Sequence, residues 1–280
     1  MTNFASWIGR TETRRELAAP EPVRRLCALL DRPDESASGA APPLGHWLYF
    51  LPDAPQASIG ADGHPERGGF LPPIPLPMRM WAGARIDFLA PLPLGAEITR
   101  RSSLVSIQEK QGRTGPLAFL TVRHDTLSGE RLCVSEHLDI VFRDRSGPSG
   151  PASDGERREA SVSRTIDPTA ALLFRYSAIT FNAHRIHYDR DYAVKTEGYP
   201  GLVVHGPLLA TLLVDHVRRE FPNAALRSFA FRARRPVYDL APFTVNLRAT
   251  ATGADFTGAD VWASDADGFL AMDGQAEFAR

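Results

Sequence analysis

Apolar and polar residues alternate along two series of segments: 98–107, 117–127 and 132–142 early in the chain, 244–250, 259–264 and 269–278 late. A period of two predicts strands with one face packed and the other wet. Polar turns, Ser128-Gly-Glu-Arg131 in the first series and Asp265-Ala-Asp-Gly268 in the second, join the last two strands of each into hairpins. Each series follows the same local text. Residues 86–99 match residues 231–244 in proline position and apolar pattern, with a constant offset of 145 residues from Pro91 to Pro236. A shared strand-turn-strand series of this length implies an internal duplication. The Ser/Gly/Pro run at 146–158 has linker composition and divides the copies, giving domains at 1–145 and 159–280.

Helical periods stand in front of the strands. Asp167-Pro168 reads as cap and first turn of a helix through Ser177, and Asp189 caps a shorter one ending near Gly198. Residues Leu202 to Phe221 are apolar around most of a helix, so the following strands must wrap it. The first half offers a weaker counterpart: a helix across Thr13 to Leu30, the aromatic stretch His46 to Phe50, and a proline-rich run, Leu71 to Pro77, that serves as a rigid extended connection. The predicted class is α+β: a curved antiparallel sheet around a central helix, twice.

Composition narrows the functions. A chain of 280 residues that is 43% hydrophobic and 23% charged is globular, and a net charge of -1 gives no reason to expect nucleic acid or a membrane surface as partner. The only cysteines, Cys27 and Cys133, lack CxxC spacing, which argues against a disulfide scaffold and for a reducing compartment. Neither a signal core nor a run long enough to span a membrane is visible, so the expected location is cytoplasmic. The sequence contains no GxGxxG, GxxxxGK[ST] or GxSxG, which disfavours nucleotide cofactors and acyl-enzyme chemistry. His184 and His187 have no Glu at helical spacing and no nearby thiolate, so no metal is expected.

The chemistry concentrates between Phe174 and Pro207. Asn182, His184, His187 and Asp189 precede Gly201-Leu-Val-Val-His205-Gly206-Pro207, which opens the long apolar helix. A helix start offers unpaired backbone N–H groups to a developing oxyanion, here from Gly206, while a histidine titrating near neutrality can move protons beside it. Plainer roles exist for each: a core histidine for His187, a structural one for His184, a cap for Asp189 and tight helix geometry for Gly206.

The strings Phe174-Arg-Tyr-Ser-Ala-Ile-Thr-Phe-Asn182-Ala-His-Arg-Ile-His187-Tyr-Asp189 and Gly201-Leu-Val-Val-His-Gly206-Pro resemble the MaoC-type hot-dog hydratases and dehydratases. With Met78-Arg-Met-Trp81-Ala-Gly83-Ala-Arg85, the likeness extends to the two-domain branch of mesaconyl-CoA and itaconyl-CoA hydratases and type 2 3-hydroxyacyl-thioester dehydratases. The resemblance implies a double hot-dog fold and reversible hydration of an enoyl thioester. It implies no cofactor beyond the CoA of the substrate. The first half shares the strand text but has no counterpart of Asn182 to His187 before it, so it is expected to shape the acyl pocket without performing chemistry, with one active site per chain in the second half. The acyl-CoA is the expected partner, and a homodimer is compatible with the likeness.

Where that family has an Asp five residues before its His, this chain has Asn182, and an amide orients water without accepting its proton. The expected catalytic set is therefore His187, Asn182 and Gly206. Substrate contacts are expected from Trp81, His205, Arg85, Arg185, Arg232 and Arg234, with Arg85 or Arg185 reading the carboxylate of a C5 dicarboxylate thioester and citramalyl-CoA as product. Three alternatives stay open: a fatty-acid-type 3-hydroxyacyl-thioester dehydratase, a thioester hydrolase, and a hot-dog module that binds acyl-CoA without turning it over.

Overall fold

The computed structural model describes residues 4–112, 115–144, 155–250 and 257–279. Its strands are β1 (Thr11–Leu17), the two-residue β2 (Ala40–Ala41), β3 (Met78–Phe88), the two-residue β4 (Leu92–Pro93), β5 (Glu97–Gly112), β6 (Gly115–Ser128), β7 (Arg131–Arg143), β8 (Val162–Ile166), β9 (Leu226–Ala233), β10 (Phe243–Ala249), β11 (Gly258–Ser264) and β12 (Leu270–Phe278). Ten of these form one antiparallel sheet in the order β1-β5-β6-β7-β3-β9-β12-β11-β10-β8. The order is palindromic about the β3–β9 seam. Each half runs from an outer strand through a three-stranded meander to a central strand, the topology that the repeated text implies. The predicted linker at 146–158 lies mostly outside the described residues.

The seam depends on close backbone approach. Gly83 pairs with Arg232 across it, and a Cβ on Gly83 would stand 2.3 Å from the Phe231 carbonyl oxygen, so only glycine fits there without parting the strands. On the inner face, Ala84, Ile86, Phe229 and Phe231 are all buried.

Helix α3 (Gly206–Glu220) is the wrapped helix of the second half, with every residue from Leu208 to Val217 buried. It begins later than the apolar pattern suggested. Residues 202–204 are extended, because Val204 N–H donates to the Val237 carbonyl and Val203 bridges to Tyr238. Helix α2 (Ala170–Thr180) is capped by Thr169, whose hydroxyl accepts from Leu172 N–H at 3.2 Å; the predicted cap at Asp167 is displaced by two residues.

The predicted helix over Thr13 to Leu30 is corrected. Thr-Glu-Thr-Arg-Arg-Glu-Leu forms edge strand β1 against β5, and α1 (Pro20–Leu29) begins only where Pro20 supplies its first turn. Where the second half packs α3 against its strands, the first half holds only short 3₁₀ turns, Gly45–Leu48 and Gln56–Ser58, in otherwise irregular chain to residue 77. That economy leaves space. Among the described residues no helix is long and apolar enough to cross a membrane.

Candidate active site

A cavity of about 1210 Å³ occupies this space and extends across the seam to the start of α3. His187 lies on its wall, in a 3₁₀ turn, Arg185–His187, that follows α2. The ring is 7% exposed, and its Nδ1 lies 2.7 Å from the Val203 carbonyl oxygen. Because that oxygen only accepts, Nδ1 carries the proton and Nε2 keeps a free lone pair. Burial pushes the His187 pKa down to about 3, helped by nearby His184 and opposed by the Val203 bond. The imidazole is therefore neutral at neutral pH, as a base must be.

Gly206 also lines the cavity, and the space above its α-carbon opens toward Trp81, whose Cβ would lie 3.8 Å from a Cβ added there. Its N–H belongs to the first turn of α3, where no intrahelical acceptor exists. Asn182 lines the same wall. Its Oδ1 accepts from His184 N–H at 2.9 Å, an Asx turn that shapes the loop. Asp189 takes up its predicted capping role, accepting from Tyr192 N–H at 3.0 Å.

Three expected substrate contacts are placed elsewhere. Arg85 points to the outer face, its side chain 58% exposed and paired with Asp139 at 2.8 Å. Arg185 is absent from the cavity wall: it holds Asp189, donates to the Ala61 carbonyl and lies over the Tyr192 ring, so it braces the loop. His205 is fully buried behind His187, stacked on it at 3.7 Å between ring centroids and held by Ser177 Oγ at 2.8 Å. Trp81, Arg232 and Arg234 do reach the cavity. Arg234, however, spends its guanidinium on Asp273, while Arg232 is exposed at the rim.

Two further features of the cavity carry no signal in the sequence pattern. Arg79 lines the cavity, and among the described residues its side chain has neither hydrogen-bond nor ion-pair partner; burial pulls its pKa down, Arg67 adds to that and the charge of Asp62 opposes it. Asp62 and His64, from an irregular loop of the first half, stand beside His184, with ligating atoms of the three within 4.8 Å of one another. As a metal site this set fits poorly, because Asp62 Oδ2 and His64 Nδ1 are committed to each other and Arg79 raises the local positive potential. Deeper in the first half, Glu136 accepts from both His46 and Trp47, His124 is bonded to Ser102, and Arg100 lies over Phe50. Polar groups therefore stand among the apolar residues, Phe119, Val122, Leu138 and Ile140, of this part of the lining.

Residues 44–239 match the family of hydroxyacyl-thioester dehydratases type 2. The chain belongs to this family. It is 46% identical over 257 residues to mesaconyl-C(4)-CoA hydratase of Chloroflexus aurantiacus, covering 90% of this chain and 91% of that one. It is 27% identical over 230 residues to the mitochondrial type 2 hydroxyacyl-thioester dehydratase of Schizosaccharomyces pombe, covering 73% and 77%. In fold it resembles the crystal structure of HtdX from Mycobacterium tuberculosis (TM-score 0.68, 18% identity, covering 95% and 98%) and the solved structure of a double-hotdog protein from the same organism (TM-score 0.57, 13% identity, covering 97% and 96%). The fold is the double hot-dog, and the enzyme is a hydro-lyase.

The buried histidines of this type 2 dehydratase relative give it a pH signature. His184 and His187 are pushed down to about 3 and His205 well below its ordinary value, in each case chiefly by burial, whereas the unfolded chain protonates them near 6.5. Between about pH 3 and 6.5 the unfolded state binds more protons, so stability is complete above that window and lost as pH falls through it. Calorimetry should show a melting temperature steady above pH 7 and declining from about 6.5 downward. A flat profile to pH 4 would contradict neutral burial of these rings.

Proposed function

We propose that this enzyme adds water reversibly to an α,β-unsaturated acyl-CoA thioester, and that its substrate is a short dicarboxylate such as mesaconyl-C4-CoA, giving citramalyl-CoA. One observation carries the reading: a neutral His187, the first turn of α3 and an unpartnered Arg79 share one cavity. In the hydration direction the water oxygen bonds to the β-carbon while His187 Nε2 takes its proton. The π electrons move toward the thioester oxygen, where Gly206 N–H stabilises the enolate, and the α-carbon is then protonated. Asn182 positions the water.

The dicarboxylate reading rests on chemistry. In a mesaconyl thioester linked through C4, the free carboxylate sits on the β-carbon, the atom that water attacks, so its receptor must lie close to His187. What supports Arg79 in that role is that it lines the same cavity and its charge acts on His184, whose ring is 5.3 Å from that of His187. A long acyl chain fits less well, since about 0.8 kcal/mol per methylene is gained only against apolar walls. Here Glu136, His124 and Arg100 interrupt the apolar lining. Relatedness to the Chloroflexus hydratase supports the same substrate class.

Following the enoyl-thioester absorbance together with free thiol on mesaconyl-C4-CoA, itaconyl-CoA, crotonyl-CoA and a medium-chain 3-hydroxyacyl-CoA tests the proposal. Loss of the enoyl band without thiol release, fastest on a dicarboxylate, is expected. Thiol release would indicate a hydrolase, preference for the medium chain a fatty-acid-type dehydratase, and binding without turnover a carrier module.

A further inference from the structure

Asn182 leaves the site short of one proton-transfer group, because an amide cannot take a proton from water. The first half supplies a candidate 120 residues away. Asp62 Oδ2 lies 3.1 Å from His64 Nδ1, and Asp62 Oδ1 accepts the His64 backbone N–H at 3.0 Å. Burial favours the neutral carboxyl, but these two hydrogen bonds outweigh it and hold Asp62 well below the usual carboxylate range. An ionised carboxylate at Nδ1 keeps a proton on that nitrogen, aims Nε2 away from itself and stabilises the imidazolium when Nε2 is protonated. Both residues line the cavity.

The dyad is anchored to the segment that carries His187. Arg185 N–H donates to the Asp62 carbonyl at 2.9 Å, and its guanidinium donates to the Ala61 carbonyl at 2.9 Å. Between Asp62 and His64, Gly63 adopts φ +91°, and a Cβ there would stand 1.8 Å from the Ala183 carbonyl oxygen. Contact this close permits only glycine and fixes one loop against the other. The His64 ring lies 4.1 Å from that of His184, which is 5.3 Å from His187. Three imidazoles therefore run in a row along one wall.

We propose that His64, oriented by Asp62, is the second acid–base residue of this site, working with His187 where a carboxylate at position 182 is lacking. The role rests on the hydratase reading above. As water bonds to the β-carbon and His187 Nε2 takes its proton, the π pair passes to the α-carbon and thioester oxygen. The α-carbon then takes a proton from His64 Nε2. Exchange with solvent resets both rings, His187 releasing one proton and His64 regaining one, so the net change is addition of one water.

Steady-state kinetics on the enoyl-CoA that wild type turns over fastest, with melting curves alongside, tests the assignment. His64→Gln should lower kcat by about 100-fold with KM within about threefold, and Asp62→Asn should lower it by about tenfold. Adding Asn182→Asp to His64→Gln should recover at least about tenfold, because a carboxyl group there restores a second proton-transfer residue beside His187. A residue that only supported the loop would not be rescued by an acid on another segment. The proposal falls if His64→Gln keeps kcat within twofold of wild type, if the double variant recovers nothing, or if a chelator abolishes wild-type activity and a divalent cation restores it. A wild type inactive on every enoyl-CoA would overturn the hydratase reading and this role with it. An active wild type with an unimpaired His64→Gln overturns this role alone.

Discussion

Changing His187 to Gln should lower turnover by roughly 10³-fold while costing only a few degrees of melting temperature. The two effects separate because the ring does two jobs. Its Nδ1–H bond to the Val203 carbonyl is structural and worth about 1 kcal/mol, and a glutamine amide can replace it in part. Its Nε2 lone pair is chemical, and no atom of glutamine takes a proton near neutrality. The stack on His205 and the burial that holds the ring neutral make His187 look, by exposure alone, like any core histidine. Kinetics and calorimetry on one preparation decide. Near-wild-type turnover in a markedly destabilised protein would reduce His187 to that plainer role.

The strand text was legible where alternation and turns agreed, as in the 128–131 and 265–268 hairpins, and helix α3 was legible because so much of its circumference is apolar. Strand β1 was not. Thr-Glu-Thr-Arg-Arg-Glu-Leu is built of residues that helices tolerate well, and its strand character comes from pairing with β5, a long-range fact. The arginines show the limit more sharply. Arg79 and Arg85 are six residues apart, an even separation that puts both on one face of a regular strand. A bulge between Trp81 and Gly83 reverses the parity, so Arg79 and Trp81 face the cavity while Arg85 turns out to Asp139. Only the pairing register reveals it.

Asp62 and His64 were invisible for a different reason. Their partners lie in the other half of the chain, and no period links them. The available hint was Asp62-Gly-His-Pro65, two titratable residues around a glycine between an aromatic stretch and a proline-rich run. Duplication had suggested a first half that shapes the pocket and a second that acts. With no long helix where the second half has α3, loops of the first half line the same cavity as His187, and under the role proposed for His64 the site is assembled from both halves.

Arg79 is where the substrate reading meets its hardest test. Replacing it with Met keeps much of the side-chain volume and removes the charge. For mesaconyl-C4-CoA, kcat/KM should fall by about 100-fold, since hydrogen bonds to a charged partner contribute about 1.5–3 kcal/mol. Crotonyl-CoA, which puts a methyl group, trans to the thioester, where the β-carbon of the dicarboxylate bears its carboxylate, should lose less than about threefold or improve, because wild type leaves this partly dry guanidinium unmatched when that substrate binds. Arg79→Lys should fall between wild type and Arg79→Met for the dicarboxylate, keeping the charge without the paired fork. Equal losses on both thioesters would assign Arg79 to the CoA moiety or to the loop, and with it the dicarboxylate preference would lose its structural basis. Unequal losses in the expected direction would identify the side chain that reads the acyl group, on the inward side of a bulge one residue long.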